Sequence, residues 1–239
     1  MRANKTSRWS AEPSVQGKRY PITRREQRFV ILHKKINKQQ TELRNMSTET
    51  HQLLDALRAA FLAKNCPVDD YLQPGLTSEQ IVSKTSHLGL TLPDDLIQLY
   101  SWRNGQNDEA EDASDAFVFR DNIFINLERA IAEYAEVLEY NSDSNTLEDD
   151  GVLLKNCLPF ASFQGSWYLV VCGPHRLKTQ SRHPMIGVYE GIDLLFHSID
   201  TMVKTCTEWV HHKSWAPASS LDYNLELGIW KKHNPGIFE

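Results

Sequence analysis

The order in which helical and strand periods follow one another constrains this chain more than any other feature. Apolar residues recur at helical spacing early on: Leu53, Leu54, Leu57, Ala60 and Phe61, then Ile81, Val82, Thr85 and Leu88, then Leu96, Ile97 and Tyr100. Strand-sized apolar runs at 157–161, 167–172, 185–190 and 193–197 come later. Helical spacing then returns in Ile199, Met202, Val203, Cys206, Trp209 and Val210. Helices, then strands, then helices is not the regular alternation of a doubly wound parallel sheet. The expected architecture is α+β: a single compact domain with a mixed, mostly antiparallel sheet of about five to six strands, flanked by helices.

Local signals place the boundaries. Ser47 or Thr48 caps the first helix, and Cys66-Pro67 ends it. Thr77 and Gln80 have capping-box spacing, and Gly89 is placed for a left-handed helix end. Pro93 opens the third helix, with Asp94 and Asp95 favourable against its dipole. Phe117-Val118-Phe119 and Ile123-Phe124-Ile125 flank Arg120-Asp121-Asn122 as a short hairpin, and Asn126 caps a helix through Leu127, Ala130, Ile131, Tyr134 and Leu138. Residues 104–114 and 141–150 read as acidic loops. The last two strands turn around Glu190-Gly191, Ser198 caps the helix that follows, and His211, His212 and Lys213 suit its negative end. A short C-terminal segment carries Leu221, Leu225 and Ile229 before Asn234-Pro235-Gly236 stops it.

Charge divides the chain. Residues 1–44 hold 12 Lys/Arg and 3 Asp/Glu, a net of +9, while the remainder holds 14 against 28, a net of −14. The basic arm, 1–45, has no sustained period and is expected to be disordered. It suits nucleic acid or another acidic surface by charge, and it is Arg-rich and acid-poor like a transit peptide. It can equally lie upstream of the working protein, because Met46 immediately precedes the first regular helix. The domain itself is expected to occupy 46–239. No apolar run is long enough for a membrane helix and no secretory segment is visible, so a cytoplasmic protein is expected. Cys66, Cys157, Cys172 and Cys206 are widely spaced and read as reduced, buried thiols.

The stretch Ser78 to Gln106 resembles the opening of SUKH-superfamily domains, the Smi/Knr-like fold. The matching places are Leu88-Gly89, Leu92-Pro93, Tyr100, Trp102 and Asn104-Gly105. Leu158-Pro159-Phe160-Ala161 with Gly165, the strand Trp167 to Val171, and the helix Ser198 to Val210 follow in the family's order. The likeness covers roughly 47–215 and implies a protein-binding scaffold, with a C-terminal helical extension added here. Many bacterial members look like immunity proteins that neutralise a toxin; fungal members act as cell-wall and signalling regulators. Where many members carry an acid after the core strand, this chain has Cys172-Gly173-Pro174, so no role for that acid is carried over.

Catalytic and metal motifs are sparse. There is no P-loop, no dinucleotide-binding glycine turn and no H-E-x-x-H pair. Gly165-Ser166-Trp167 lacks the second glycine of a nucleophile elbow, and Asp143-Ser144-Asn145 is followed by Leu147 and Glu148 where a calcium loop needs a ligand and a glycine. Cys172 and His175 have C-x-x-H spacing but no second pair, and the adjacent His211-His212 point about 100° apart on a helix. No enzyme activity, cofactor or metal is therefore expected. The strongest functional signal is a run of carboxylates, Asp108, Glu109, Glu111, Asp112 and Asp115, with a second cluster at Glu148, Asp149 and Asp150. Such runs are usually solvated faces, but they also attract basic partners. The candidate contact set is Trp102, Asn104, Gln106, Asp108, Glu109, Glu111 and Asp112. The expected partner is a protein, foremost a basic, nuclease-like toxin domain, with neither membrane nor nucleic acid for the folded body. The rival reading is an intracellular scaffold or regulator of the Smi/Knr kind.

Overall fold

A computed structural model describes residues 49–107, 118–120, 122–140, 146–147, 152–173, 183–189, 191–212 and 222–237. They all belong to the compact unit Arg44–Glu239. The basic arm, the acidic run from Asp108 to Asp115, Phe117, the cluster Glu148 to Asp150, His175, Lys213 and Leu221 lie outside the described residues.

The first helix, α1 (49–63), buries Leu54, Leu57, Ala60 and Phe61, the face its period marks. It ends just short of the expected Cys66-Pro67 stop. Asn65 takes a left-handed conformation, φ 59. Cys66 N then donates to Phe61 O and Asn65 N to Leu62 O, the paired bonds that satisfy a helix's last carbonyls. After α2 (Val68–Tyr71) and β1 (Leu72–Pro74), α3 (Ser78–Thr85) opens on the predicted capping box of Thr77 and Gln80. A 3-10 turn at Ser86–Leu88 closes on Gly89 at φ 69. Val82, expected in the buried face, is exposed: only Ile81 and Thr85 of α3 are interior, because a two-turn helix presents too narrow a stripe for a third.

Helix α4 (Asp94–Trp102) runs straight into β2 (Arg103–Gln106), which pairs antiparallel with β1. The loop expected from Asn104 onward therefore begins as a strand, with Asn104, Gly105 and Gln106 buried. The hairpin expected over 117–125 also forms differently. Phe119 bridges Asn122 around Arg120, and β3 (Ile123–Phe124) pairs antiparallel with β6 (Cys157–Phe163). Helix α5 (Leu127–Tyr140) follows, capped by Asn126, whose Oδ1 accepts from Arg129 N at 2.8 Å. Within the second acidic segment, β4 (Thr146–Leu147) pairs with β5 (Val152–Leu153).

Strands β6 (Cys157–Phe163), β7 (Ser166–Val171), β8 (Met185–Val188) and β9 (Ile192–Phe196) form an antiparallel meander, with sheet order β3-β6-β7-β8-β9. Alternation along β7 separates two cores. Tyr168 and Val170 face the larger one, shared with α1, α4 and α6 (Ile199–His212); Trp167, Leu169 and Val171 face a smaller one that includes Val137 and Leu154. A register shift between Pro159 and Ala161 lets the consecutive Phe160 and Ala161 both enter the larger core. The Ser198 cap forms as predicted, and Ile199, Met202, Val203, Cys206, Trp209 and Val210 are all buried. Thr50 Oγ1 donates to the buried Asp200 at 2.8 Å, tying the start of α1 to that of α6.

The carboxylate of Glu133 is buried in this frame. Its Oε1 accepts from Arg129 Nε at 2.6 Å and Ser162 Oγ at 3.0 Å, and Oε2 accepts from Trp167 Nε1 at 3.0 Å. The carboxylate thus joins α5 to β6 and β7. Glu133→Gln turns an amide donor towards donors and removes the negative charge that faces Arg129. We expect a loss of about 2 kcal/mol, read as a lower urea midpoint with an unchanged slope; an unaltered midpoint would show that the cluster contributes nothing.

Candidate interaction surface

The residues singled out by sequence divide into two groups. Trp102 is 5% exposed. Its Nε1 donates to Asp55 Oδ1 at 2.9 Å, and the Arg103 guanidinium lies 5.3 Å from its ring centre. It joins α4 to α1 and is not an exposed anchor. Asn104 and Gln106 are also interior. Asn104 Oδ1 accepts from Leu127 N at 3.0 Å, giving α5 a second N-terminal cap, and Gln106 Oε1 accepts from Phe124 N at 3.0 Å. Gly105 between them has φ 77, and a Cβ there would lie 2.3 Å from Asn126 N. The Asn-Gly pair therefore fits β2 against the start of α5. These three residues are architecture, and their polar groups face inward because β2 is a strand and not the start of a loop.

What they build is the root of the acidic segment. Asn107 N donates to Tyr71 O at 2.9 Å on one side, and Val118 and Phe119 are buried on the other. Asp108, Glu109, Glu111 and Asp112 lie between these anchors, outside the described residues.

Just past the second anchor stands a cluster that sequence reasoning missed. Arg120 lies 5.3 Å from the Trp209 ring centre and 5.5 Å from that of Trp230, and its Nε is 2.8 Å from Glu226 Oε1. Trp230 and Glu226 belong to α7 (Tyr223–His233), whose N-cap Asp222 accepts from Asn224 N and Leu225 N. The predicted stripe of this segment, Leu225 and Ile229, is rotated: Leu225 is 41% exposed, and Ile229 and Trp230 are buried. Trp230 next to Ile229 was the available signal; Arg120, in a turn, offered none. Tyr223, Glu226, Leu227 and Trp230 fall at helical spacing and, with Arg120, line a groove of about 150 Å³. A wider groove of about 430 Å³ between α1 and α6 is bordered by Leu53, Ala56, Lys204, Glu208, His211 and His233. There Glu208 is held below the usual carboxylate range by Lys232 and His233.

Cys157 and Cys172 show no activation. Burial pushes Cys172 up to about 12 and Cys157 higher still, so both are neutral and weakly nucleophilic near pH 7. Ser166 Oγ, at the start of β7, lies 2.9 Å from Asn122 Oδ1 and 2.8 Å from Phe163 O, so its one proton has a structural acceptor in either place. Among the described residues, no helix is long and apolar enough to cross a membrane.

An antiparallel meander flanked by helices, entered through a Leu-Pro step and an Asn-Gly strand, makes this an α+β domain. The chain belongs to the SMI1 / KNR4 family (SUKH-1), whose family model matches residues 75–206. No curated protein matches it. The matched part begins after α1 and ends inside α6, so the helices that complete the larger core, α1 and α7, lie outside it.

Proposed function

We propose that this chain is a protein-binding module without catalytic chemistry, and specifically an immunity protein that neutralises a basic toxin domain. The observation that carries this reading is the anchoring of the acidic segment: buried Asn104, Gln106, Val118 and Phe119 hold its two ends on a rigid frame. Segments rooted at both ends in a packed frame are where binding residues concentrate. Five carboxylates within eight residues offer a basic surface a complementary field. The neutral, buried Cys157 and Cys172 and the structurally bonded Ser166 favour binding over catalysis. Family membership agrees with a scaffold role.

The test is a partner captured from the native host, identified, and measured for binding kinetics at two salt concentrations. Replacing Asp108, Glu109, Glu111 and Asp112 together by their amides should slow association by about tenfold at low salt and flatten its salt dependence. Thermal stability should hardly move, the usual outcome for a solvated charge run. A partner that associates equally fast with both proteins at either salt removes the acidic segment from the interface.

A further inference from the structure

Arg120 is the residue whose circumstances the fold explains least. It is held at φ 57, a region that L-residues other than Asn and Asp enter at a cost. Its guanidinium has two indole rings within 5.5 Å and a carboxylate at 2.8 Å. This is the set that a planar, weakly hydrated cation calls for: ring faces for the flat surface, a carboxylate for the N–H rim.

The walls of this box do not depend on their occupant. Trp209 Nε1 donates to Glu226 O at 3.3 Å, and Trp230 Nε1 to Leu195 O at 2.7 Å. Trp230 also stacks on Phe196, with ring centres 4.8 Å apart and planes at 4°. On its Trp230 and Glu226 side the box borders the groove of about 150 Å³, Arg120 keeps a third of its side chain exposed, and Tyr223 at the lip is 71% exposed. Its walls, Trp209, Glu226 and Trp230, all lie beyond residue 206, where the family match ends, while Arg120 lies within it.

We propose that Trp209, Trp230 and Glu226 form a guanidinium-binding site, filled at rest by the chain's own Arg120 and able to take an arginine side chain from a protein partner in its place. The partner is the basic toxin domain proposed above, so this inference rests on that reading for the origin of the arginine, though not for the site. Asp115, the last carboxylate of the acidic run, lies five residues before Arg120 in the sequence, and a surface drawn to that run brings arginines to the groove. Arg120 is a tethered competitor, so an incoming guanidinium finds an affinity reduced by the fraction of time the box stands empty.

The probe is N-acetyl-argininamide, titrated at constant ionic strength into the full chain labelled at the tryptophan indole nitrogens. In Arg120→Gln it should shift the Trp209 and Trp230 signals saturably, at least tenfold more tightly than in the unaltered chain. N-acetyl-lysinamide should bind several-fold more weakly, and adding Glu226→Gln should remove the tenfold gain. Arg120→Lys, which keeps the charge and disturbs folding less, should show a smaller gain. Arg120→Gln and Arg120→Lys both binding no more tightly than the unaltered chain would overturn the site, as would equal shifts at Trp102 and Trp167; Arg120 would then only fasten the turn to α7. Failure of the toxin-binding reading would show instead in the association kinetics of the acidic-segment variant and would leave this titration unchanged.

Discussion

Trp230→Ala is expected to lower the free energy of unfolding by about 4 kcal/mol, the range for truncating a large buried ring. Trp230 is 7% exposed, stacks on Phe196, meets Trp209 edge-on at 5.5 Å and donates to Leu195 O. The substitution leaves a cavity between β9, α6 and α7 and removes the indole donor from a strand carbonyl. For a domain of this size the thermal midpoint should fall by roughly 10 °C. Calorimetry showing a loss under about 1 kcal/mol, far below the range for such a ring, would mean that α7 does not close this part of the core.

Gly105→Ala is expected to cost about 3 kcal/mol or more, from two sources that can be separated. The left-handed backbone, φ 77, accounts for roughly 1–2 kcal/mol with any L-residue. The remainder is steric: the new Cβ would sit 2.3 Å from Asn126 N and 2.5 Å from Ile125 C, and backbone cannot rotate away as a side chain can. Gly89→Ala is the control, because Gly89 has φ 69 and nothing within 4 Å of where its Cβ would lie, so only the conformational cost applies. Denaturant unfolding should place Gly105→Ala well below Gly89→Ala. Equal losses would show that β2 does not pack closely on the start of α5.

The contrast between what was legible in the sequence and what was not has a physical basis. Caps could be read because their geometry is local: Thr77 with Gln80, Asn126 with Arg129 and Ser198 with Thr201 each close within three residues. The meander strands could be read because β-branched and aromatic runs alternate between glycine-bearing turns. The second strand pair could not, since β2 is a four-residue stretch, Arg-Asn-Gly-Gln, whose burial comes from partners 18 and 23 residues away in β3 and α5. Polar composition there suggested solvent, and the side chains were instead spent on capping and pairing. The same blindness affected Arg120, whose partners Trp209, Glu226 and Trp230 are 89 or more residues distant. Of the residues that carried the family resemblance, the matched range 75–206 contains Leu88-Gly89, Leu92-Pro93, Tyr100, Trp102, Asn104-Gly105, Leu158 to Ala161 and the strand Trp167 to Val171, and it ends within the helix Ser198 to Val210.

The bond between Thr50 and Asp200 joins residues 150 apart in the chain. The entropy of closing a span grows only with the logarithm of its length, about 0.6 kcal/mol for each doubling. Both acidic segments, the run before Val118 and the cluster before Val152, lie inside this closed span. Lengthening the first run by about ten residues would therefore change the closure of the frame by far less than thermal energy, and its own local closure by about one such doubling. The closure of the frame is thus nearly indifferent to the length of the acidic segments, which can vary while the helices that clasp the sheet stay as they are.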